Sequence, residues 1–359
     1  MTLRLPFQPP LSPMLSKRSA DLPTGDGWLF EPKWDGFRTI VFRDADEVVL
    51  MSRDDKPLQR YFPELLSPLQ ETLPERAVLD GEIVIPIGSS LEFEVLQQRI
   101  HPAKSRIDML AKETPASVVF WDLLAVGDED LRQTPLAERR KRLEALLKDA
   151  APPIHLTPAT EDRATATDWF HRFEGAGLDG VMAKRLEGTY EPGKRSMIKV
   201  KHERTCDAVV AGFRWHKNGK GTHIGSLLLG LYDDKGGLHS VGVTASFTEA
   251  KRRELVGFLE PYREGALEAH PWKDWAGDES EATRRPDMKS RWNRNKSMSW
   301  EPLRLELVVE VAYDHMQGAR FRHTAQFRRW RTDKKPADCR YDQLEVTPPY
   351  EVGAIFSAR

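Results

Sequence analysis

The stretch Glu31-Pro32-Lys33-Trp34-Asp35-Gly36-Phe37-Arg38 places a lysine beside a turn signal, with an apolar run on either side. An Asp-Gly pair is typical of a tight turn, and the flanking runs over 28–30 and 39–42 are typical of strands. The pattern therefore predicts that Lys33 lies at a strand end. A nucleophilic lysine needs such rigid support, because an ordinary lysine is protonated at neutral pH and cannot attack. Alone, the octapeptide is more typical of a hairpin with a solvated lysine.

The composition is that of a soluble globular protein. The chain has 359 residues, 40% hydrophobic and 30% charged, with a net charge of −1, which fits two or three domains. Because the net charge is close to zero, contacts with a polyanion must come from local basic patches.

The sequence predicts a cytoplasmic protein without a membrane partner. No apolar run is long enough to cross a bilayer, and the first 13 residues lack the apolar region of a signal peptide. Cys206 and Cys339 are the only cysteines, so neither a disulfide framework nor a cysteine-based zinc site is supported.

Two further strand patterns carry candidate site residues. Glu82 follows Asp80-Gly81 inside an apolar run, and a buried carboxylate is costly without a partner, which favours contact with a metal or a lysine. In the apolar run 117–124, Phe120 and Trp121 point to opposite faces of the strand. One ring is therefore expected in the core and the other in a pocket.

Basic residues recur at strand positions. Asp179-Gly180 precedes an apolar run that ends at Lys184, which repeats the order acid, glycine, strand and lysine. Lys199 and Lys201 share one strand face, either as a solvated face or as a pair that holds a polyphosphate. Arg53 is either a phosphate or sugar ligand or a surface arginine.

Helical spacing predicts helices over 57–72, 93–100 and 134–147, with others near 167–174 and 248–261. In the third, Arg139 and Arg140 fall among the leucines of the apolar face. We assign this helix no chemistry.

After Arg204 the pattern changes to short strands separated by glycine turns, with one helix, which is typical of a small barrel such as an OB-fold. Arg329 and Arg331 share a strand face there, as a pyrophosphate clamp or a surface stripe. Another basic group lies around Trp292 and fits either a nucleic-acid backbone or a solvated loop. Its members are Arg284, Arg285, Lys289, Arg291, Arg294 and Lys296.

Together these elements resemble the motifs of ATP-dependent DNA ligases, in the same order and over nearly the whole chain. The resemblance is carried by Lys33-Trp34-Asp35-Gly36 with Arg38, Ser52-Arg53, Asp80-Gly81-Glu82, Phe120-Trp121-Asp122-Leu123-Leu124, Asp179-Gly180-Val181-Met182-Ala183-Lys184, Lys199-Val200-Lys201 and Arg329-Trp330-Arg331-Thr332-Asp333-Lys334. The stretches 290–293 and 311–317 are most similar to the short two-domain bacterial C-type ligases.

The resemblance implies an α+β fold of the nucleotidyltransferase superfamily. A nucleotidyltransferase domain of ATP-grasp-like antiparallel sheets with helices is expected over residues 1–204, followed by an OB-fold β-barrel domain over residues 205–359. The implied activity seals nicks between a 5′-phosphate and a 3′-OH, in DNA repair. Lys33 would attack the α-phosphate of ATP to form lysyl-AMP, and AMP would pass to the DNA 5′-phosphate before the 3′-OH displaces it.

By motif position, Glu31 would read the adenine amino group and Trp121 would stack on the base, with Phe120 as the alternative if the strand register differs by one. Arg38 and Arg53 would hold the ribose and the phosphates, and Glu82 would contact the ribose, or a metal through water. Lys199 and Lys201 would bind the α-phosphate, and Lys184 is a further implied nucleotide ligand. The pyrophosphate leaving group would contact Arg329, Arg331, Asp333 and Lys334 once the OB domain closes. Arg291, Arg294 and Lys296 would contact DNA.

A divalent metal, magnesium or manganese, is implied at Glu82 and Asp179. Many ligases have Glu at the position of Asp179. The shorter Asp side chain reaches less far, so two alternatives stay open: direct contact with the metal, or contact through a water molecule. The expected partners are nicked double-stranded DNA and, for recruitment, a repair polymerase, a primase or an end-binding protein, with the ligase as a monomer.

Two alternatives remain open. An mRNA-capping guanylyltransferase shares the lysine motif and the OB domain but forms lysyl-GMP. A non-catalytic module that binds DNA ends has a different function on the same fold. Nothing in the chain resembles a zinc finger or a helix-hairpin-helix array, which argues against the NAD-dependent ligases.

Overall fold

The computed structural model describes residues 3–273, 299–345 and 347–357. The chain divides into two compact units, residues 1–201 together with 347–359, and residues 202–346. The division after residue 201 lies close to the expected boundary at 204. The C-terminal residues differ from the expectation, because residues 347–359 belong to the first unit.

The first unit contains most of the helices and two main sheets. Its strands are β1 Ser16–Ser19, β2 Trp28–Pro32, β3 Phe37–Asp44, β4 Glu47–Ser52, β5 Arg76–Val84, β6 Pro86–Ile87, β7 Ser90–Leu91, β8 Ser117–Val126, β9 Glu129–Asp130, β10 Ile154–Leu156, β11 Val181–Arg185 and β12 Met197–Val200. Its helices are α1 Leu66–Thr72, α2 Phe93–Gln98, α3 Lys104–Glu113, α4 Leu136–Leu146, α5 Arg163–Arg172 and, near the C-terminus, α7 Val352–Ser357.

The strand order is β1-β12-β11-β2 in the first sheet and β10-β8-β5-β3-β4 in the second, where β9 also pairs with β8. Most pairs are antiparallel, as expected, but β1 runs parallel to β12 and β10 runs parallel to β8. Parallel neighbours need a long connection. Helix α4 lies in the connection between β8 and β10, and most of the unit separates β1 from β12.

The turn between β2 and β3 depends on a glycine. A Cβ atom on Gly36 would lie 2.1 Å from the carbonyl oxygen of Ile83, which is closer than any side chain tolerates. Gly36 therefore lets the chain after Lys33 pass close to β5.

Two helix predictions need correction, and one helix was missed. Residues 57–65 contain the short 3-10 turns Gln59–Tyr61 and Pro63–Leu65, and the α-helix begins only at Leu66, because proline lacks an N–H donor and restricts the residue before it. Helix α3 was not predicted. Helix α5 begins at Arg163, where the Asp162 side chain accepts hydrogen bonds from the backbone N–H groups of Ala164 and Thr165.

The second unit is a barrel-like sheet with the strand order β15-β14-β13-β17-β20. Its two edges meet where Ala325 bridges to Thr244 and donates a 2.9 Å hydrogen bond to the carbonyl of Val243. This arrangement agrees with the expected OB-fold. The elements are β13 Arg204–Trp215, β14 Ile224–Tyr232, β15 Leu238–Thr244, α6 Glu249–Leu259, β16 Glu301–Pro302, β17 Val308–Tyr313, β18 Met316–Gln317, β19 Arg320–Phe321 and β20 Gln326–Trp330.

Each unit has its own apolar core. In the second unit Val209, Leu229 and Val309 fill the sheet interior. In the first unit one cluster joins Trp34 to Val352 and Ile355 of α7, which explains why the C-terminal residues belong there. Among the described helices of both units, none is long and apolar enough to cross a membrane.

Candidate active site

Lys33 lies one residue after the end of β2 and is fixed by two backbone hydrogen bonds. Its N–H donates to the carbonyl of Gly180 at 2.8 Å, and its own carbonyl accepts from the N–H of Asp179 at 2.9 Å. Gly180 has a φ of +127°, and a Cβ atom there would lie 2.1 Å from the carbonyl oxygen of Val200. A glycine is therefore required where the chain links Lys33 to the start of β11.

Asp179 bridges two lysines. Its Oδ2 atom lies 2.7 Å from Nζ of Lys33, and its Oδ1 atom lies 3.1 Å from Nζ of Lys201. Burial acts to raise the pKa of Asp179, but the charges and hydrogen bonds of the two lysines outweigh it and lower the pKa below its usual value. Asp179 is therefore ionised and holds both ammonium groups.

The strand register brings further predicted residues to the same face of the first sheet. Met182 on β11 pairs with Glu31 on β2 and with Lys199 on β12, and paired residues share a face. Burial lowers the pKa of Lys199, and the nearby charges of Lys33 and Lys201 lower it further. This concentration of positive charge suits a polyphosphate.

On the second sheet, Glu82 and Arg38 are direct partners on β5 and β3. Oε1 of Glu82 accepts a 3.1 Å hydrogen bond from the N–H of Gly36. Burial raises the pKa of Glu82 to about 7, although the positive charges of Lys33 and Arg38 act in the opposite direction. The charge of Lys33 therefore acts on the Glu82 carboxylate, and a bound cation would further stabilise its ionised form.

Arg38 is held by a buried acid. Its Nε and Nη2 atoms donate to the two oxygens of Asp80 at 3.0 and 2.5 Å, and the hydroxyl of Tyr190 donates to the same carboxylate at 2.7 Å. A bidentate pair of this kind fixes both distance and orientation. Arg53 lies in an exposed turn just after β4, one residue beyond Ser52, which pairs with Thr39.

Trp121, rather than Phe120, faces the charged groups. The Arg38 guanidinium carbon lies 5.3 Å from the centroid of the Trp121 ring, and Nζ of Lys184 lies 5.5 Å from it. Phe120 is fully buried in the core on the other side of the strand. Lys184 also lies 2.6 Å from Oε2 of Glu31, so one continuous cluster runs from Glu31 to Arg38.

Arg140 on α4 belongs to this cluster, and the interpretation that the helix carries no chemistry missed it. Its Nη1 atom lies 3.4 Å from Oε1 of Glu31, and its Nη2 atom donates to the carbonyl of Thr157 at 2.7 Å. The available signal was the presence of two arginines on an apolar helix face. The other one, Arg139, forms a fully buried ion pair with Asp122 at 2.7 Å.

Trp34, directly after Lys33, contacts Thr157 and Phe356, and the sequence did not predict either contact. Its Nε1 atom donates to Oγ1 of Thr157 at 2.8 Å. Its ring stacks on Phe356 of α7, with centroids 5.3 Å apart and planes 7° from parallel. Phe356 in turn stacks on His155 at 4.0 Å.

The predicted pyrophosphate ligands lie in the second unit. Arg329 is 66% exposed and pairs with Glu310 at 2.8 Å, whereas Arg331 is 17% exposed and pairs with Asp207 at 2.9 Å. Lys334 also pairs with Asp207, at 2.7 Å. The predicted DNA ligands Arg291, Arg294 and Lys296 lie outside the described residues.

The donor set fits a hard divalent cation. Glu82 and Asp179 supply carboxylate oxygens, and no group of three or more potential ligand side chains occurs in the part of the chain that the structure describes. Magnesium commonly uses one or two carboxylates together with substrate phosphates and water. Both oxygens of Asp179 already contact lysines, which limits its direct access to a metal.

Comparison with known proteins gave consistent matches. The protein-family model of the ATP dependent DNA ligase domain matches residues 13–201. The family model of the ATP dependent DNA ligase C terminal region matches residues 220–334. DNA ligase C2 of Mycolicibacterium smegmatis is 54% identical over 358 residues, 99% of each chain. DNA ligase C of Mycobacterium tuberculosis is 53% identical over 347 residues, 96% of each chain.

A solved structure from a structure-function study of Lig E DNA ligases is similar in fold. It has a TM-score of 0.56 at 17% identity, and the match covers 89% of this chain and 99% of that one. At this identity the similarity concerns the fold alone.

Proposed function

The chain belongs to the family of ATP-dependent DNA ligases, and we propose that it seals nicks between a 5′-phosphate and a 3′-OH in double-stranded DNA through lysyl-AMP on Lys33. The observation that carries this proposal is the position of Lys33. Its Nζ atom lies 2.7 Å from Asp179, which also holds Lys201, and it lies near enough to Lys199 to lower the pKa of that residue. A nucleophile beside two further lysines suits attack on a polyphosphate.

In the first step, the lone pair of Lys33 Nζ attacks the α-phosphorus of ATP. The N–P bond forms as the bond to the leaving oxygen breaks, pyrophosphate departs, and the nitrogen loses one proton to solvent while it keeps one N–H in the phosphoramidate. Because an ammonium group has no lone pair, Lys33 must leave its ion pair with Asp179 and lose a proton before it attacks. Lys199 and Lys201 would bind the α-phosphate and offset its growing charge.

The nucleotide would lie between the two sheets. Glu31, oriented by Lys184 and Arg140, would accept a hydrogen bond from the adenine amino group, and Trp121 would stack on the base. Arg38 and Arg53 would contact the ribose and phosphates. Glu82 would contact the ribose or a metal.

A bound magnesium or manganese ion supplies charge neutralisation for the phosphates during the displacement. Glu82 and Asp179 are the carboxylates that would hold it. We propose that Asp179 reaches the ion through water, since both of its oxygens contact lysines.

In the later steps an oxygen of the DNA 5′-phosphate attacks the lysyl-AMP phosphorus and releases Lys33. The 3′-OH then attacks the 5′-phosphate, forms the phosphodiester and expels AMP. Arg329, Arg331 and Lys334 would act in the first step, on the pyrophosphate, and Arg291, Arg294 and Lys296 would contact the DNA backbone.

The proposed setting is cytoplasmic DNA repair, in which a monomer acts on nicks supplied by other repair enzymes. A repair polymerase, a primase or an end-binding protein is the proposed recruiting partner.

Intact-protein mass spectrometry of the purified chain tests the proposal. We expect a covalent adduct of one AMP that disappears when pyrophosphate is added, and nick sealing that depends on ATP. Lys33→Ala is expected to abolish both, while Lys112→Ala, which removes an exposed lysine of α3, is expected to retain both. Labelling by GTP instead of ATP, or sealing by Lys33→Ala, would contradict the proposal.

A further inference from the structure

A buried carboxylate in the second unit holds two of the proposed pyrophosphate ligands at once. Asp207 lies on β13, and its side chain is 8% exposed. Nη1 of Arg331 donates to both of its oxygens, at 2.9 and 3.0 Å, and Nζ of Lys334 lies 2.7 Å from Oδ2. A buried carboxylate is stable only with such partners.

Arg331 is fixed on two sides. Its Nη1 atom contacts Asp207, while Nε and Nη2 donate to the two oxygens of Asp333 at 2.9 and 2.7 Å. Each of the three guanidinium nitrogens therefore contacts a carboxylate. The Arg331 backbone N–H also donates to the carbonyl of Val308 at 2.9 Å, which anchors the residue to β17.

The backbone of Asp207 is held independently of its carboxylate. Oε1 of Gln343 accepts from the Asp207 N–H at 2.8 Å, and Nε2 of Gln343 donates to the Asp207 carbonyl at 3.0 Å. The Asp207 side chain therefore contacts the two cations without being needed for the strand hydrogen bonds. A change at the carboxylate alone should leave β13 in place.

We propose that Asp207 is a positioning residue that holds Arg331 and Lys334 as a cation pair of fixed spacing for the pyrophosphate end of a nucleoside triphosphate. The inference rests on the proposed function, in which pyrophosphate leaves during lysine adenylylation. Two cations repel each other, and a flexible lysine loses rotamer freedom when it binds a ligand. The shared carboxylate offsets the repulsion and sets the geometry before the nucleotide arrives.

The test separates lysine adenylylation from strand joining. Asp207→Asn keeps the shape of the side chain and removes its charge. We expect the single-turnover rate of lysyl-AMP formation at saturating ATP to fall by at least roughly 10-fold, while joining of a pre-adenylylated nick without ATP stays within roughly 3-fold. The pyrophosphate concentration that removes AMP from Lys33 should rise in parallel.

Two further variants complete the design. Asp207→Glu keeps the charge but displaces both cations, so we expect the same selective defect in a weaker form. Asp342→Asn removes an exposed acid that pairs with Arg340 in the same unit and should leave both steps unchanged.

Failure of the positioning role of Asp207 and failure of the proposed function give different results in these assays. If the unmodified enzyme forms no lysyl-AMP, the proposed function itself fails. If it does, and Asp207→Asn forms lysyl-AMP at the same rate, or loses both steps equally with or without a lower melting temperature, the positioning role of Asp207 is wrong.

Discussion

Trp121 and Phe120 are neighbours on β8 with opposite surroundings, and this difference gives a prediction at the residue scale. Trp121 has Arg38 and Lys184 near its ring, whereas Phe120 is 0% exposed in the core. We expect Trp121→Ala to raise the KM for ATP about 10-fold or more, because stacking on a base contributes roughly 1–3 kcal/mol. We expect Phe120→Ala to lower stability by about 3–5 kcal/mol. ATP-dependent kinetics and thermal melting distinguish the two, and the reverse result would place the other ring against adenine.

Arg329 and Arg331 lie two positions apart but differ in exposure, 66% against 17%. Arg329→Ala is expected to slow lysine adenylylation more than joining of a pre-adenylylated nick, because its exposed guanidinium is available to a phosphate. Arg331→Ala should show the same selectivity with a larger loss of stability, since Asp207 and Asp333 would lose a partner. Equal loss of both steps in either variant, measured in parallel assays, would contradict the assignment.

Several positions of residues follow from local sequence. The Asp-Gly turn signal predicted Lys33 at a strand end, where β2 stops at Pro32, and period-2 alternation predicted that Phe120 and Trp121 separate. Arg140 could not be found in this way. Its contact with Glu31 joins residues 109 positions apart, and local periodicity carries no information on such contacts.

At the scale of elements, local sequence patterns again predict contacts between neighbouring segments but not between distant ones. Adjacent antiparallel pairs such as β3 with β4 are joined by short turns, and turn signals predict them. The parallel pair of β1 with β12 connects the two ends of the first unit, and no local pattern encodes it. Helix α3 was missed although its buried residues, Ile107 and Leu110, have helical spacing.

The contact between β10 and α7 gives a pH prediction. Burial lowers the pKa of His155 to about 4, so the folded state keeps it neutral where the unfolded chain, with a pKa of about 6.5, takes up a proton. The contribution of His155 to stability should therefore be constant above about pH 6.5 and fall as the pH drops toward 4. His155→Gln should show a smaller loss of melting temperature between pH 7.5 and pH 5. An unchanged pH dependence would show that His155 does not contribute to acid unfolding.

At the scale of the whole molecule, the first unit is built from two separate stretches of the chain, and the second unit lies between them in the sequence. Residues 347–357 return to the first unit, and Val352 and Ile355 are 2% and 0% exposed there. The N–H of Val352 donates to the carbonyl of Ser89 at 2.8 Å. A division of the sequence into consecutive domains assigns this segment to the wrong unit, because the evidence for its place is packing between distant residues.

Removal of residues 347–359 should therefore damage the first unit, not the second. Val352, Ile355 and Phe356 leave the cluster that contains Trp34, and loss of one buried Ile side chain alone typically costs about 2–5 kcal/mol. We expect a lower melting temperature and slower reaction in both lysine adenylylation and nick joining, since Lys33 lies next to Trp34.

Phe356→Ala should reproduce part of both effects through the lost stacking on Trp34 and His155, whereas Glu351→Ala, at an exposed position, should not. A truncated chain that melts at the original temperature would show that the segment contributes nothing to the unit. A defect confined to adenylylation would contradict a role through the support of Trp34 and Lys33.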